Sequence, residues 1–126
     1  MDAAAPYLKL VGRVLLSIIF ITSGFSKITG YAGTAAYMEQ NGVPGALLPL
    51  VILTELGGGL CIVTGLFTRY VAIALAGFCV LTGYFFHYQP GDQMQMINLM
   101  KNIAIAGGFL LLAGAGPGAL ALDNRR

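Results

Sequence analysis

The sequence predicts an all-α membrane protein, a bundle of four transmembrane helices with both the N- and the C-terminus in the cytoplasm. Three observations predict it: four long apolar segments, a scarcity of charge, and the way the cations are divided among short loops. Of the 126 residues, 57% are apolar and only 10% are charged, whereas roughly a quarter of a soluble domain is charged. The excess apolar surface is therefore expected to face lipid.

Each apolar segment is expected to cross the membrane as a helix. A span needs about 20 residues, and the four segments cover about residues 7–28, 46–67, 69–88 and 94–115. Open strands would leave backbone groups unsatisfied in hydrocarbon, and four strands cannot close a barrel. The whole chain, residues 1–126, is thus predicted to form one transmembrane domain.

The first span has the order of a signal peptide, because Lys9 and Arg13 precede its apolar stretch. Lys27, however, stands where a small-residue cleavage site would be expected, so a retained helix that ends at Gly30 is predicted. One stripe of polar and small side chains follows helical spacing and is expected to face the bundle interior. It consists of Arg13, Ser17, Phe20, Gly24 and Lys27.

The longest connection, residues 30–45, follows the first span. Within it, residues 34–40 are expected to form a short helix on the membrane surface, with Thr34 as N-cap and Gly42 as its stop. The second and third spans are joined by a tight turn around Thr68 and Arg69, which makes them antiparallel neighbours.

Orientation follows from the cations. Cytoplasmic loops carry an excess of Lys and Arg, and five cations fall on the side that holds both termini, against two on the other side. The five are Lys9, Arg13, Arg69, Arg125 and Arg126, and the two are Lys27 and Lys101. Both ends of the chain are therefore predicted to be cytoplasmic.

Ionisable groups inside the spans are the candidate functional residues, because a charge at mid-bilayer costs about 3 kcal/mol. Glu55, near the middle of the second span, is the outstanding one. We expect it to pair with Lys101 or Lys27 in a small polar pocket open toward the outer leaflet. All four helices direct polar groups to that half, and the candidate ligand-binding residues are Glu55, Lys101, Lys27, Asn102 and His87.

Structural roles for the same residues stay open. Lys27 and Arg13 stand near helix ends, where long side chains can snorkel to the interface. An ion pair between Glu55 and Lys101 could simply hold two helices in register. His87 lies beside two tyrosines, where an aromatic belt is expected.

Glycines are the predicted helix-packing residues, because a missing side chain lets two helices approach closely. Three consecutive ones begin two residues after Glu55, and Gly58 and Gly59 share its helix face. The full set is Gly24, Gly57, Gly58, Gly59, Gly107 and Gly108.

Several other functions are not expected. The net charge of +2 is small and dispersed, so no nucleic-acid partner is predicted. Cys61 and Cys79 are not a C-x-x-C pair, and their different depths disfavour a disulfide. His87 and three nearby methionines could gather Cu(I), but methionine is also an ordinary packing residue, and no metal site is predicted.

Several segments match the motifs of a known family. They are RVLLSIIFITSGFSK at 13–27, AYM at 36–38 with GVP at 42–44, ELGGG at 55–59 with GLFTR at 65–69, KNIAIAGGFLLL at 101–112, and GPG at 116–118 with LD at 122–123. In combination they resemble the DoxX family over nearly the whole chain. Family tails commonly carry an arginine and a serine where this chain has Ala119 and Ala121.

The resemblance implies a small, multi-pass protein of the bacterial inner (plasma) membrane. Some relatives are membrane subunits of thiosulfate:quinone oxidoreductase, and others associate with a sulfurtransferase and superoxide dismutase. This implies an accessory or anchoring subunit in quinone- or thiol/sulfur-linked redox metabolism, not catalytic alone, with a soluble or membrane redox protein as partner. No firmly bound cofactor is expected, and a quinone is the small molecule that the resemblance suggests.

Two other functions stay open. A small transporter is compatible with ionisable groups at depth, although four helices make a cramped path unless the protein forms a homo-oligomer. A pure membrane scaffold would use its glycine faces to assemble with other helices. The substrate and the partner are not specified by the sequence.

Overall fold

A computed structural model describes residues 3–125, and within that range the chain is helical and contains no strand. Four of its helices are long and apolar enough to cross a membrane, and a short helix lies in the loop after the first of them. The predicted all-α bundle of four membrane-spanning helices is confirmed. The helices are α1 (Ala5–Thr29), α2 (Tyr31–Gln40), α3 (Gly45–Thr64), α4 (Thr68–His87) and α5 (Gln93–Ala115), followed by a single 3₁₀ turn at Leu122–Arg125.

The helix α2 begins earlier than predicted. Gly30 alone separates it from α1, so its first turn starts at Tyr31, and the proposed N-cap, Thr34, lies inside the helix with its hydroxyl donating to the Gly30 carbonyl at 3.0 Å. Nor does α2 lie only on the surface, because Met38 is 3% exposed. We call the end of the bundle that carries α2 the outer end, following the predicted orientation.

The turn between α3 and α4 comprises residues 65–67, and Thr68 already belongs to α4. Gly65 ends α3 in a left-handed conformation at φ 75°, which glycine adopts without steric cost. The N-terminus of α4 is capped from the C-terminal tail: the Asp123 carboxylate accepts hydrogen bonds from the backbone N–H groups of Phe67 at 2.7 Å and Thr68 at 2.9 Å.

The predicted stripe on α1 does face the interior, since the buried residues of this helix are Arg13, Ser17, Phe20 and Gly24. Phe20 packs edge-on against Phe109 of α5 with ring centroids 5.4 Å apart. Around this pair lies the apolar core, formed with residues of α3 and α4. Its other members include Ile62, Ala72, Leu75, Ala76, Cys79 and Ala106.

Arg13 does not snorkel, and that alternative is wrong. Its side chain is 1% exposed and donates to the carbonyl groups of Ile62 and Val63 at 3.2 Å each, and to the carbonyl of Leu120. The carbonyl groups near the end of α3 and in the tail need donors, and the planar guanidinium supplies several at once. The hydrogen bond to Leu120 brings the two ends of the chain to the same end of the bundle.

Which side of the membrane that end faces stays a prediction. Arg126, one of the five cations on which the orientation depends, lies outside the described residues. The outward faces of the helices are covered by large apolar side chains such as Leu15, Leu53 and Leu111. These surfaces face lipid, the expected surroundings of the protein.

Four of the six predicted packing glycines lie at contacts between helices. A methyl group on Gly24 would approach Leu56 to 3.3 Å or less, and one on Gly58 would approach Leu75 as closely. The same holds for Gly59 with Ile21 and for Gly108 with Leu16. The other two do not face another helix. A methyl group on Gly57 would meet only Leu53 of its own helix, and one on Gly107 would meet nothing within 4 Å.

Candidate functional site

The helix α3 is irregular at its centre. Residues Leu53–Gly57 form a π-helical turn, with α-helix on both sides of it. Such a turn contains an extra residue, which changes the direction of the side chains on it, and π-bulges are frequent at functional sites. Here the wide turn carries Glu55, and α1 approaches it closely at Gly24, where a methyl group would lie 3.0 Å from the Leu56 backbone nitrogen.

Glu55 pairs with Lys27 of α1. The Lys27 Nζ atom lies 2.8 Å from Glu55 Oε1, and the two side chains are 25% and 8% exposed, respectively. Ser23 completes a closed triangle, since its hydroxyl donates to Glu55 Oε2 at 3.1 Å and accepts from Lys27 Nζ at 2.5 Å. The sequence analysis did not include Ser23, although it lies four residues before Lys27 on the same face of α1.

Lys101, the other proposed partner, does not reach this triangle. It is exposed, and it is not among the residues that line the adjacent cavity. Successive residues of an α-helix point about 100° apart, and Asn102 takes the inward direction instead. The Asn102 amide donates to the Cys79 carbonyl at 3.1 Å and to the Thr82 hydroxyl at 3.3 Å, and so connects α5 to α4.

His87, at the outer end of α4, also faces the cavity. Its Nδ1 atom lies 2.8 Å from the side-chain oxygen of Gln95 on α5. This contact connects α4 to α5 at the outer end of the cavity. The neighbouring Tyr84 and Tyr88 stack with centroids 5.4 Å apart and are both exposed, as expected of an aromatic belt.

The ion pair, Ser23, Asn102 and His87 line one cavity of about 550 Å³ in the outer half of the bundle. The volume lies in the range of about 300–1,000 Å³ that is usual for small-molecule sites. Most of the wall is apolar, and α2 covers its outer end, where Tyr37 stacks on Phe86 of α4 at 5.6 Å. The candidate residues in the wall are Lys27, Glu55, Asn102 and His87, joined by Ser23 and Thr82.

The cavity suits a largely apolar molecule with a few hydrogen-bonding atoms. The ion pair provides a concentrated polar site on one side, and the phenyl rings of Phe78, Phe85 and Phe86 provide flat apolar surface. Cys79 also lines the cavity, and both it and Cys61 are free thiols. Within residues 3–125, no group of three or more His, Cys, Asp or Glu side chains is placed to hold a metal ion.

Comparison with known proteins places this architecture in a family. The DoxX family model matches residues 8–88. The chain belongs to the DoxX family. Of the candidate DoxX site residues, Lys27, Glu55 and His87 lie inside the matched region, and Lys101 and Asn102 lie beyond it.

Relatives of this DoxX chain include two proteins of Escherichia coli (strain K12). The chain is 55% identical to "Inner membrane protein YqjF", over 91% of its own length and 88% of that protein. It is 41% identical to "Inner membrane protein YphA", over 98% of its own length and 93% of that protein. Together with the four membrane-crossing helices, these relatives identify the chain as an inner membrane protein.

A third relative matches only about half of the chain. The chain is 36% identical to "Putative oxidoreductase CatD" of Bacillus subtilis (strain 168), over 51% of its own length and 48% of that protein. No solved structure matches this DoxX chain significantly.

Proposed function

We propose that this protein is an accessory membrane subunit of quinone-linked redox metabolism and that its cavity binds the head group of a quinone. The observation that carries the proposal is the Glu55–Lys27 ion pair, held in the wall of an apolar cavity of about 550 Å³ at membrane depth. The name of the relative CatD supports a redox setting.

The donors in the cavity fit a quinone. A quinone head is a flat apolar ring with two carbonyl acceptors, so it needs apolar walls and at least one donor. The Lys27 ammonium has three N–H bonds, of which Ser23 and Glu55 engage two, so one remains for a ligand. Tyr37 also lines the cavity, and its hydroxyl is a donor as well.

The protein binds and positions the quinone, and a partner protein transfers the electrons. The sequence has one histidine and two separate cysteines, and it contains no dinucleotide-binding glycine motif. It therefore lacks the cysteine set of an iron–sulfur cluster and the two histidines of a bis-histidine haem. Glu55 fixes the position of the ammonium, and the closed triangle with Ser23 keeps that donor aimed into the cavity.

The proposal is tested by quinone binding to the purified protein in lipid nanodiscs. The probe is a benzoquinone that carries a single prenyl unit. We expect Lys27→Met to weaken binding at least about tenfold, equivalent to ~1.4 kcal/mol. Lys101→Met is the matched control, because it removes an exposed lysine of the same half of the bundle and is expected to leave binding unchanged.

Equal binding by the Lys27→Met and Lys101→Met proteins, or absence of binding to the unaltered protein, would contradict the proposal. Transport is the alternative that buried ionisable groups favour. It would gain if proteoliposomes showed flux of a solute that Glu55→Gln abolishes.

A further inference from the structure

We infer that ligands enter the cavity sideways from the bilayer, between the outer halves of α3 and α4, and that the natural ligand carries a long apolar tail which remains in this opening. The inference deepens the proposed function and rests on it. It adds a route of entry and a class of ligand, an amphiphile with a small polar head and an isoprenoid or similar tail.

The first observation is that some wall residues are also highly exposed. Leu50 of α3 is 60% exposed and Leu81 of α4 is 59% exposed, yet both line the cavity. Leu47 of α3 and Phe85 of α4 also line the cavity and are also exposed. A residue of a closed cavity would be buried, so these four side chains, two on each of the facing helices, form the rim of an opening. Ile19 of α1 and Tyr37 of α2 also line the cavity and are 53% and 45% exposed, but each is the single exposed wall residue of its helix.

The second observation is that the inner and outer ends of the cavity are covered. Toward the turn that joins α3 and α4, Gly58 lets Leu75 approach, and a methyl group at position 58 would lie 3.0 Å from that side chain. At the outer end, α2 covers the cavity with Met38, which is 3% exposed, and with Tyr37 stacked on Phe86. On the sides of the cavity, the paired exposed residues of α3 and α4 mark the main opening.

The third observation is the depth of the rim. Leu50 lies five residues from the outer end of α3 at Gly45, and Leu81 lies six residues from the outer end of α4 at His87. At 1.5 Å per residue these positions are about 8 Å and 9 Å below the helix ends. In a hydrocarbon core about 30 Å thick, the opening faces acyl chains and not water.

The positions of the polar and apolar groups in the cavity set the orientation in which a ligand binds. The ion pair of Glu55 and Lys27 attracts a polar head, whereas the rim offers only leucine and phenylalanine side chains. A molecule that dissolves in the bilayer can therefore place its head beside Lys27 and leave its tail between α3 and α4. A water-soluble ligand would need a passage through the cover formed by α2.

The test uses the purified full-length protein in lipid nanodiscs and two benzoquinones with one head group. One has a single prenyl unit, and the other has a long isoprenoid tail with a photoreactive group at its end. We expect the tail to label α3 and α4 near Leu50 and Leu81, and an excess of the short quinone to prevent this. The double variant Leu50→Trp/Leu81→Trp should bind the long quinone about tenfold more weakly, and it should lose more affinity for the long quinone than for the short one.

Leu60→Trp is the matched control. Leu60 is an exposed leucine on α3 that does not line the cavity, so this variant is expected to bind both quinones normally. Labelling of α1, α2 or α5 in place of α3 and α4 would overturn the inferred route. So would equal binding of the long quinone by the double variant and the unaltered protein, or an equal loss of affinity for the two quinones in a double variant of normal helix content and melting temperature.

The outcomes separate this inference from the proposed function. Binding of the short quinone without a labelled opening would refute the lateral route alone. Failure of the short quinone to bind the unaltered protein would refute the proposed function, and the inference with it.

Discussion

Two buried charged side chains, among those that the structure describes, organise the two ends of this protein. Glu55 pairs with an ammonium and accepts from a hydroxyl at the edge of a cavity, whereas Arg13 donates to three backbone carbonyl groups. The first arrangement leaves donor capacity for a ligand. The second uses the guanidinium to join α1, the end of α3 and the C-terminal tail.

The contacts of Arg13 predict that Arg13→Lys lowers the free energy of unfolding by about 2 kcal/mol, since at least one buried carbonyl would lose its donor. A lysine has a single terminal nitrogen and cannot reproduce the planar fork that reaches Ile62, Val63 and Leu120 together. The measurement is reversible unfolding in mixed micelles, followed by circular dichroism.

Arg69→Lys is the control for this prediction. Arg69 also donates to a carbonyl, that of Gly114, but at 3.4 Å and on the exposed surface, so the expected loss is below about 0.5 kcal/mol. Equal losses in the two variants would show that the burial of Arg13 adds no stability.

The sequence could identify Glu55 as a site residue but not the role of Arg13. A carboxylate in the middle of an apolar span has to be paired or functional, whatever the tertiary structure. A cation near a helix end has two solutions, snorkelling or a buried contact with distant backbone. Only the position of the tail around Leu120 decides between them, and no local pattern encodes that position.

At the scale of the elements, α3 is the least regular helix and the one that creates the site. Its outer part lines the cavity, its π-helical turn presents Glu55 to α1, and its inner part packs in the core. The sequence predicts a helix here because composition and length require one. The π-helical turn adjoins the contact between Gly24 and Leu56, and periodicity reveals neither feature.

The predicted packing glycines illustrate the same limit. A glycine shows that a helix could approach, but not which face of its own helix meets a neighbour. Gly24, Gly58, Gly59 and Gly108 lie on faces that do so, whereas Gly107 points away from the bundle.

These packing contacts predict opposite effects for two alanine substitutions on α1. Gly24→Ala should destabilise the protein by about 1–3 kcal/mol, since the new methyl group would lie 3.0 Å from the Leu56 backbone nitrogen. Gly12→Ala is the matched control, because its methyl group would meet nothing within 4 Å. In that variant the higher helix propensity of alanine should stabilise by up to about 1 kcal/mol.

Unfolding in mixed micelles measures both alanine variants against the unaltered protein. Because the contact of Gly24 adjoins the π-helical turn, Gly24→Ala should also weaken quinone binding. A Gly24→Ala protein as stable as the Gly12→Ala protein would mean that α1 does not approach the turn as closely as described.

At the scale of the whole molecule, an even number of spans brings both ends of the chain together, and side chains fasten them there. Arg13 near the start of α1 donates to Leu120 in the tail, and Asp123 caps α4 at Thr68. The cavity lies at the opposite end, under α2. The protein therefore has one end that is closed by hydrogen bonds to the backbone and one that holds an accessible polar site.

This difference between the two ends predicts which residues a membrane-impermeant reagent reaches from each side of the inner membrane. The cation distribution predicts a cytoplasmic closed end, so Gly33→Cys on α2 should react with a membrane-impermeant maleimide in intact cells whose outer membrane is permeabilised. Ala119→Cys in the tail should react only after the inner membrane is broken. Both positions are exposed, and a side chain at position 33 would meet nothing within 4 Å.

The unaltered protein is the control, since its own thiols, Cys61 and Cys79, lie within the spans. Labelling in the reverse order would place the cavity on the cytoplasmic side, and a quinone in it would then exchange with the inner leaflet.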